Sequence, residues 1–231
     1  MHGNELALET VLADARQAGY DELICLGDVA TLGPRPSGVL AMLRDLGCRC
    51  LLGNHDEFML VPELARSYSE HELVLASVDA TRAALSEAEL SFIRTFTPTL
   101  ALDGGVFLYH GTPRSNTEDL LATTPDALVD EMLQGIQARL LAGGHTHLQM
   151  LRQHRGRLIV NTGSLGQPFE AFASHGPPRI LAQAEYAIVD VQARSTSVDL
   201  RRVELERQAL AAQVDGWDNP LAPWLGASYA A

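Results

Sequence analysis

Seven side chains able to bind a metal or move a proton recur at one kind of place in this 231-residue chain. His2, Asp28, Asn54, His55, His110, His145 and His147 each stand at or near a glycine turn, most of them directly after an apolar run. Five of the eight histidines belong to this set, together with one carboxylate and one carboxamide. Imidazole, carboxylate and carboxamide oxygen together suit Mn, Fe, Zn or a similar divalent ion at a hydrolytic centre. No cysteine joins them, which counts against a structural zinc site. In His145-Thr146-His147 the two imidazoles lie two residues apart and can reach two adjacent ions if the backbone is irregular. His71, His154 and His175 fall in apparent helix or loop contexts and read as surface residues.

The elements that must carry these side chains are legible as an alternation of strands and helices. Leu8 and Leu12, like Ala7 and Val11, are four apart and mark a first helix that Gly19 can stop. Leu23-Ile24-Cys25-Leu26 is a short apolar strand ending in Gly27-Asp28, and residues 38–46 read as a second helix. A third apolar run, from Cys48 to Leu52, breaks at Gly53 into Asn54-His55-Asp56. This β-α-β-α-β rhythm implies parallel strands with crossover helices, and such sheets place ligands beyond their strand ends. Over residues 57–97 the strand signal disappears, and two or three helices are expected. Ser86 and Glu89 have capping-box spacing there.

Further on, Asp103-Gly104-Gly105 between apolar runs predicts a hairpin whose second strand ends in His110-Gly111. Thr124-Pro125-Asp126 opens a helix with proline at its first position. Leu140-Leu141-Ala142 ends in Gly143-Gly144-His145-Thr146-His147, and Leu158-Ile159-Val160-Asn161 leads into Thr162-Gly163-Ser164. Tyr186-Ala187-Ile188-Val189 and Ser197-Val198-Asp199-Leu200 predict a closing antiparallel pair. From Glu204 the tail reads as a short helix, with Trp217 and Trp224 as anchors onto the body. With no repeat, low-complexity tract or linker, residues 1–231 read as a single domain.

Composition bounds the function. Hydrophobic residues are 46% and charged residues 20%, enough for a normal core. The net charge of −12 disfavours nucleic acids and anionic membranes, although a bound cation can still hold one phosphate ester. Cys25, Cys48 and Cys50 are odd in number and read as reduced core residues. With no membrane-length apolar run and no basic-then-apolar leader, a cytoplasmic protein is expected.

Gly27-Asp28, Gly53-Asn54-His55-Asp56, His110-Gly111 and Gly144-His145-Thr146-His147 match in order the motifs of a known family. The chain resembles the calcineurin-like metallophosphoesterases, and most of all their small bacterial and archaeal phosphodiesterase branch. His110-Gly111-Thr112-Pro113-Arg114 and the run from Asn161 to Pro168 look like that branch too. The resemblance covers about residues 1–189. It implies an α/β fold: a sandwich of two mixed β-sheets in α-β-β-α layers, with two divalent metals at one end. Mn is the first choice, with Fe, Ni, Zn or Mg as alternatives.

By that resemblance Asp28 would bridge both metals. His2 and His147 would belong to the first, and Asn54, His110 and His145 to the second. His55 would not bind metal; it would contact the substrate phosphate and help the leaving group depart. Arg114 is a candidate substrate contact, with a solvent-facing charge as its alternative. The implied reaction is hydrolysis of a small phosphate ester, more a diester than a monoester, by a metal-bridging hydroxide. Homo-oligomers are left open.

The chain departs from the family pattern in one respect. The family opens with a buried strand ending in Asp-x-His; His2 matches that histidine, and the aspartate and its strand would lie upstream of residue 1. The expectation is a start set too late, with a truly shortened chain as the alternative. A shortened chain with a damaged first metal site would suit a non-catalytic binding scaffold, as some members of the family look to be. The intact His55 argues for the enzyme.

Overall fold

The computed structural model describes residues 1–173 and 176–230. His175, read above as a surface residue, lies outside the described residues.

The first helix, α1 (Glu5–Ala18), starts at Asn4, whose side-chain oxygen accepts the Ala7 N–H at 3.1 Å. That contact satisfies one of the free amides of the first turn. The helix ends at Gly19, as expected, in a left-handed conformation with φ 81°. It buries Leu8, Val11 and Leu12. Strand β1 (Ile24–Cys25) then pairs in parallel with β2 (Arg49–Cys50) across the helix α2 (Pro36–Asp45).

Four helices follow where two or three were expected: α3 (Asn54–Leu60), α4 (Glu63–Tyr68), α5 (Glu72–Ala84) and α6 (Glu87–Ile93). The additional turn is α3, which begins directly on the Asn54-His55-Asp56 motif. Asp56 accepts the Gly53 N–H at 3.0 Å and so closes the helix start. Ser86 and Glu89 cap α6 reciprocally, as their spacing predicts.

The hairpin β3 (Thr99–Leu102) and β4 (Val106–Tyr109) turns on Gly104 and Gly105, both with positive φ. Helix α7 (Asp126–Met132) begins one residue later than proline-first spacing suggests, because Pro125 has an extended ψ of 142° and stands at the N-cap. Strands β5 (Leu140–Gly143), β6 (Gln149–His154) and β7 (Arg157–Thr162) complete a five-stranded mixed sheet in the order β3-β4-β5-β7-β6. Strand β6 carries Gln149, Arg152 and Gln153, and this polarity hides it from an apolar-run reading. His154 is corrected here. It sits on β6, only 5% exposed, with Nε2 2.8 Å from Asp130 Oδ1 of α7.

The expected antiparallel pair is β8 (Gln183–Val191) with β9 (Thr196–Glu204). The tail forms α8 (Arg207–Val214) and a second helix, α9 (Ala222–Ala230). Trp217 and Trp224 pack onto the core under α1 and α8.

The layers follow from strand alternation. Leu141 and Ile159 point outward to α7, while Leu140, Ala142 and Val160 point inward. The inward face meets Ile24 and Leu26 on one side and Ala187 and Val189 on the other. Helices α1, α2, α3, α5 and α6 cover the far side of β1 and β2. The result is an α/β sandwich in α-β-β-α layers. Its second sheet, however, consists of two separate ribbons, β1–β2 and β8–β9. Cys25, Cys48 and Cys50 are free and buried, as expected. No described helix is long and apolar enough to cross a membrane.

Candidate metal centre

The ends of β1, β2, β4 and β5 deliver Asp28, Asn54, His110 and the His145-Thr146-His147 turn to one place. His2 joins them because its N–H donates to the Asp28 carbonyl at 2.8 Å. Asp28 Oδ2 lies 3.6 Å from His2 Nε2 and 3.3 Å from His110 Nε2. Candidate ligand atoms of His2, Asp28 and His147 all lie within 4.8 Å of one another, and so do those of Asp28, His110 and His145. Asp28 is common to both groups. Asn54 borders the second, its Oδ1 3.1 Å from His145 Nδ1.

His55 stands beside the two groups, not within them. Its backbone N–H donates to Asp28 Oδ1 at 2.9 Å, and its ring meets that of His2 edge-on at 5.3 Å. The structure does not bring Arg114 into the cluster. Its guanidinium is held by Glu118, which also accepts the Thr112 hydroxyl at 2.7 Å.

The hydrogen bonds decide which way the imidazoles face. Nδ1 of His2, His110 and His147 lies 3.2, 2.6 and 2.7 Å from the carbonyl oxygens of Thr31, Leu26 and Gln167. A ring nitrogen against a carbonyl must carry the proton, so each Nε2 turns a lone pair inward. His2 Nε2 and His147 Nε2 then face each other at 2.9 Å, and His110 Nε2 is buried without a hydrogen-bond partner among the described residues. Buried lone pairs without a proton between them are costly. A divalent cation removes that cost, so this donor set fits one.

Electrostatics point the same way for four of the five imidazoles; burial lowers His110 too, but the Asp28 charge beside it raises it overall. Burial pushes His145 down to about 4 and His147 to about 3, and it lowers His2 and His55 as well. Burial alone would raise Asp28, but His110, His55 and His2 hold it well below the usual carboxylate range. The backbone is also unusual. His2, Asp28, His145 and His147 have φ of 53°, 54°, 65° and 60°, a region that non-glycine residues seldom occupy and that concentrates at functional sites. The adjoining glycines have a steric reason. A Cβ on Gly53 would lie 2.2 Å from Asp28 Oδ1, and one on Gly27 would lie 2.6 Å from the Gly53 nitrogen.

Three positioning residues carried no role in the sequence reading. Asp56 is fully buried and accepts the Asp28, Val29 and Gly53 N–H groups at 2.7, 2.7 and 3.0 Å, tying two site loops together. Its burial, together with the nearby Asp28 charge, pushes it up to about 6. Asn161 Nδ2 donates to the Gly144 carbonyl and to Thr146 Oγ1, holding the histidine turn. Gln167 Nε2 donates to the Leu32 carbonyl while its own carbonyl receives His147. Each stands inside a quoted motif, and only its burial marks it as a support.

A pH prediction follows. His2, His55, His145 and His147 are lowered on folding, so their contribution to stability is complete above pH 6.5 and is lost as pH falls toward 4. Asp56 is raised, so its contribution runs the other way, lost as pH rises through about 6. His110 is raised by the Asp28 charge despite its burial and runs with Asp56, and the four lowered imidazoles outweigh these two groups. The metal-free protein should lose at least about 1.4 kcal/mol per pH unit between pH 6.5 and 5, read from urea midpoints. A midpoint that holds or rises on acidification contradicts this reading.

The sequence profile of the calcineurin-like phosphoesterase superfamily domain matches residues 1–194. An uncharacterised protein of Methanocaldococcus jannaschii is 24% identical over 245 aligned residues, spanning 98% of this chain and 93% of its own. The crystal structure of a metallophosphoesterase from Sphaerobacter thermophilus superposes with a TM-score of 0.76 at 24% identity, covering 100% of this chain and 95% of that one. A hypothetical protein of Pyrococcus horikoshii superposes with a TM-score of 0.78 at 17% identity, covering 97% and 94%. The likeness to these two structures is one of fold.

Proposed function

The chain belongs to the calcineurin-like phosphoesterase superfamily, and we propose that it is a divalent-metal-dependent phosphodiesterase acting on a small ester. The observation that carries this reading is the pair of ligand groups sharing Asp28. In it His2, Asp28 and His147 would hold one ion, and Asp28, Asn54, His110 and His145 would hold the other. Mn is the proposed metal, with Fe, Ni, Zn or Mg as alternatives. Two such ions, when bound, supply Lewis acidity to the phosphate and acidify water at neutral pH.

The protein's own residues do the rest. The Nδ1 contacts of His2, His110 and His147 fix their tautomers, and Asp56 holds the Asp28 loop against Gly53. His55 is buried and neutral at pH 7, and its Nδ1 has no partner among the described residues. Its ring is free to hydrogen-bond the phosphate or the departing oxygen. A diester fits better than a monoester on charge. Asp119 Oδ1 lies 3.4 Å from His145 Nε2 with no basic partner among the described residues, and a monoester would bring a second negative charge toward it. Arg114 contributes only if a substrate displaces Glu118. A small ester hydrolysed in the cytoplasm suits the acidic surface and the reduced cysteines.

The domain proposal concerns the split sheet. A cavity of about 950 Å³ lies between β1 and β8, lined by Leu12 of α1 and by Leu108, Leu140 and Ala142 of the five-stranded sheet. Among the described residues both flanking strands lack a partner on that side, and Glu185 Oε2, on its wall, is buried without a hydrogen bond. An apolar trough between two unpaired strand edges has the form of a place for one more strand. We place there an extended segment leading into Met1, which would make the whole chain one domain.

The test compares this chain with one extended upstream in its natural reading frame, for bound metal and for Mn-dependent hydrolysis of bis(p-nitrophenyl) phosphate. Turnover in either chain supports the phosphoesterase, and a gain of metal and activity on extension supports the strand. If both chains fold and neither turns over, a non-catalytic scaffold becomes the better reading.

A further inference from the structure

The rim of the centre is uneven. His145 is touched by two exposed side chains, Asp119 and Tyr68. The Tyr68 ring, at the end of α4, lies 6.2 Å from the His145 ring at an interplanar angle of 57°, and its inner side rests on Phe58 at 5.7 Å. Phe58 in turn meets His55 at 5.1 Å. Tyr68 therefore ends an aromatic file that begins at the proposed substrate-contacting imidazole. The other aromatic rings at the site are engaged: Phe58 is buried, and Phe169 lies against His147 at 4.2 Å. Tyr68 alone is 46% exposed, and its hydroxyl has no hydrogen-bond partner among the described residues. A large ring held at the edge of a polar centre, with one side supported and the other in water, is a stacking platform.

We propose that Tyr68 sets specificity by stacking a flat, uncharged aromatic group carried by the phosphate ester. This inference rests on the phosphoesterase reading and narrows its substrate class. Asp119, on the same imidazole, disfavours a second anionic group there. The preferred ester therefore joins one phosphate to a neutral aromatic unit, an aryl group or a nucleobase-bearing sugar. Aliphatic esters gain nothing from Tyr68.

The test uses the Mn-loaded chain with Tyr68→Ala and Tyr68→Phe. KM for bis(p-nitrophenyl) phosphate and for thymidine 5′-(p-nitrophenyl phosphate) should rise about tenfold in Tyr68→Ala, the scale of one lost stacking contact, while kcat holds. Tyr68→Phe should stay near the parent, and KM for glycerophosphoethanolamine should move less than about twofold, since no ring stacks. A preference for the thymidine ester over the plain aryl ester identifies the nucleoside as the stacked group. Unchanged KM in Tyr68→Ala, or equal rises for aromatic and aliphatic esters, overturns the proposal. Calorimetry with phenylphosphonate and methylphosphonate keeps the two readings separable. If no ester turns over, the phosphoesterase reading fails. The platform then stands only if the parent prefers the phenyl compound and Tyr68→Ala loses that preference.

Discussion

Asp28→Asn should strip the centre of metal and abolish turnover while leaving a folded protein. The carboxylate lies within reach of both ligand groups, 3.6 Å from His2 Nε2 and 3.3 Å from His110 Nε2. Asparagine keeps the shape and can still accept the His55 N–H through its remaining oxygen. It removes the one negative charge common to the two groups, leaving neutral imidazoles and a carboxamide to hold divalent ions. Charge-assisted ligation is what makes such sites tight, so bound metal should dissociate on dialysis. The expected loss in kcat/KM is about 10³-fold or more, equivalent to ~4 kcal/mol of transition-state stabilisation. Metal analysis by mass spectrometry, beside the assay and a circular dichroism spectrum, reads all three consequences. Retention of a full metal complement would mean that Asp28 is not shared by the two groups.

His55→Ala should separate binding from chemistry. The imidazole belongs to neither ligand group, and its Nδ1 has no partner among the described residues. Its ring meets the rings of His2 and Phe58. Truncation leaves the His55 backbone N–H in place, so the bond to Asp28 Oδ1 survives. Metal content should match the parent, and turnover should fall by roughly 10²-fold or more, the scale of one acid-base group. If the ring acts on the departing oxygen, the loss should be largest for esters with poor leaving groups. Equal loss of metal in the Asp28 and His55 variants would sink this division of roles.

Much of the fold was legible because its signals are local. Gly19 stops α1, Ser86 and Glu89 cap α6, and Gly104 with Gly105 turn the hairpin, each within a few residues of the element it sets. What escaped was context-dependent. Strand β6 is polar at four of its six residues and is a strand because β7 pairs with it over six residues. His154 looked like a surface residue until α7 brought Asp130 to its ring. Helix α3 was hidden because its capping carboxylate, Asp56, also serves the Asp28 loop.

The division for the centre is similar. By itself the sequence determined which residue types gather at glycine turns behind apolar runs, and hence that metal-assisted hydrolysis was the chemistry to expect. Tertiary structure alone decided which of those side chains meet. His2 and His147 are 145 positions apart and lie 2.9 Å from each other, while Arg114, four residues from His110, is taken by Glu118. It also decided the tautomers, which depend on carbonyls of Thr31, Leu26 and Gln167 far away in the chain. The trough between β1 and β8 and the exposed face of Tyr68 belong to the same class. The physical reason is that a turn is encoded by the few residues that make it. The spacing of a ligand cluster is set by the packing of every layer beneath it.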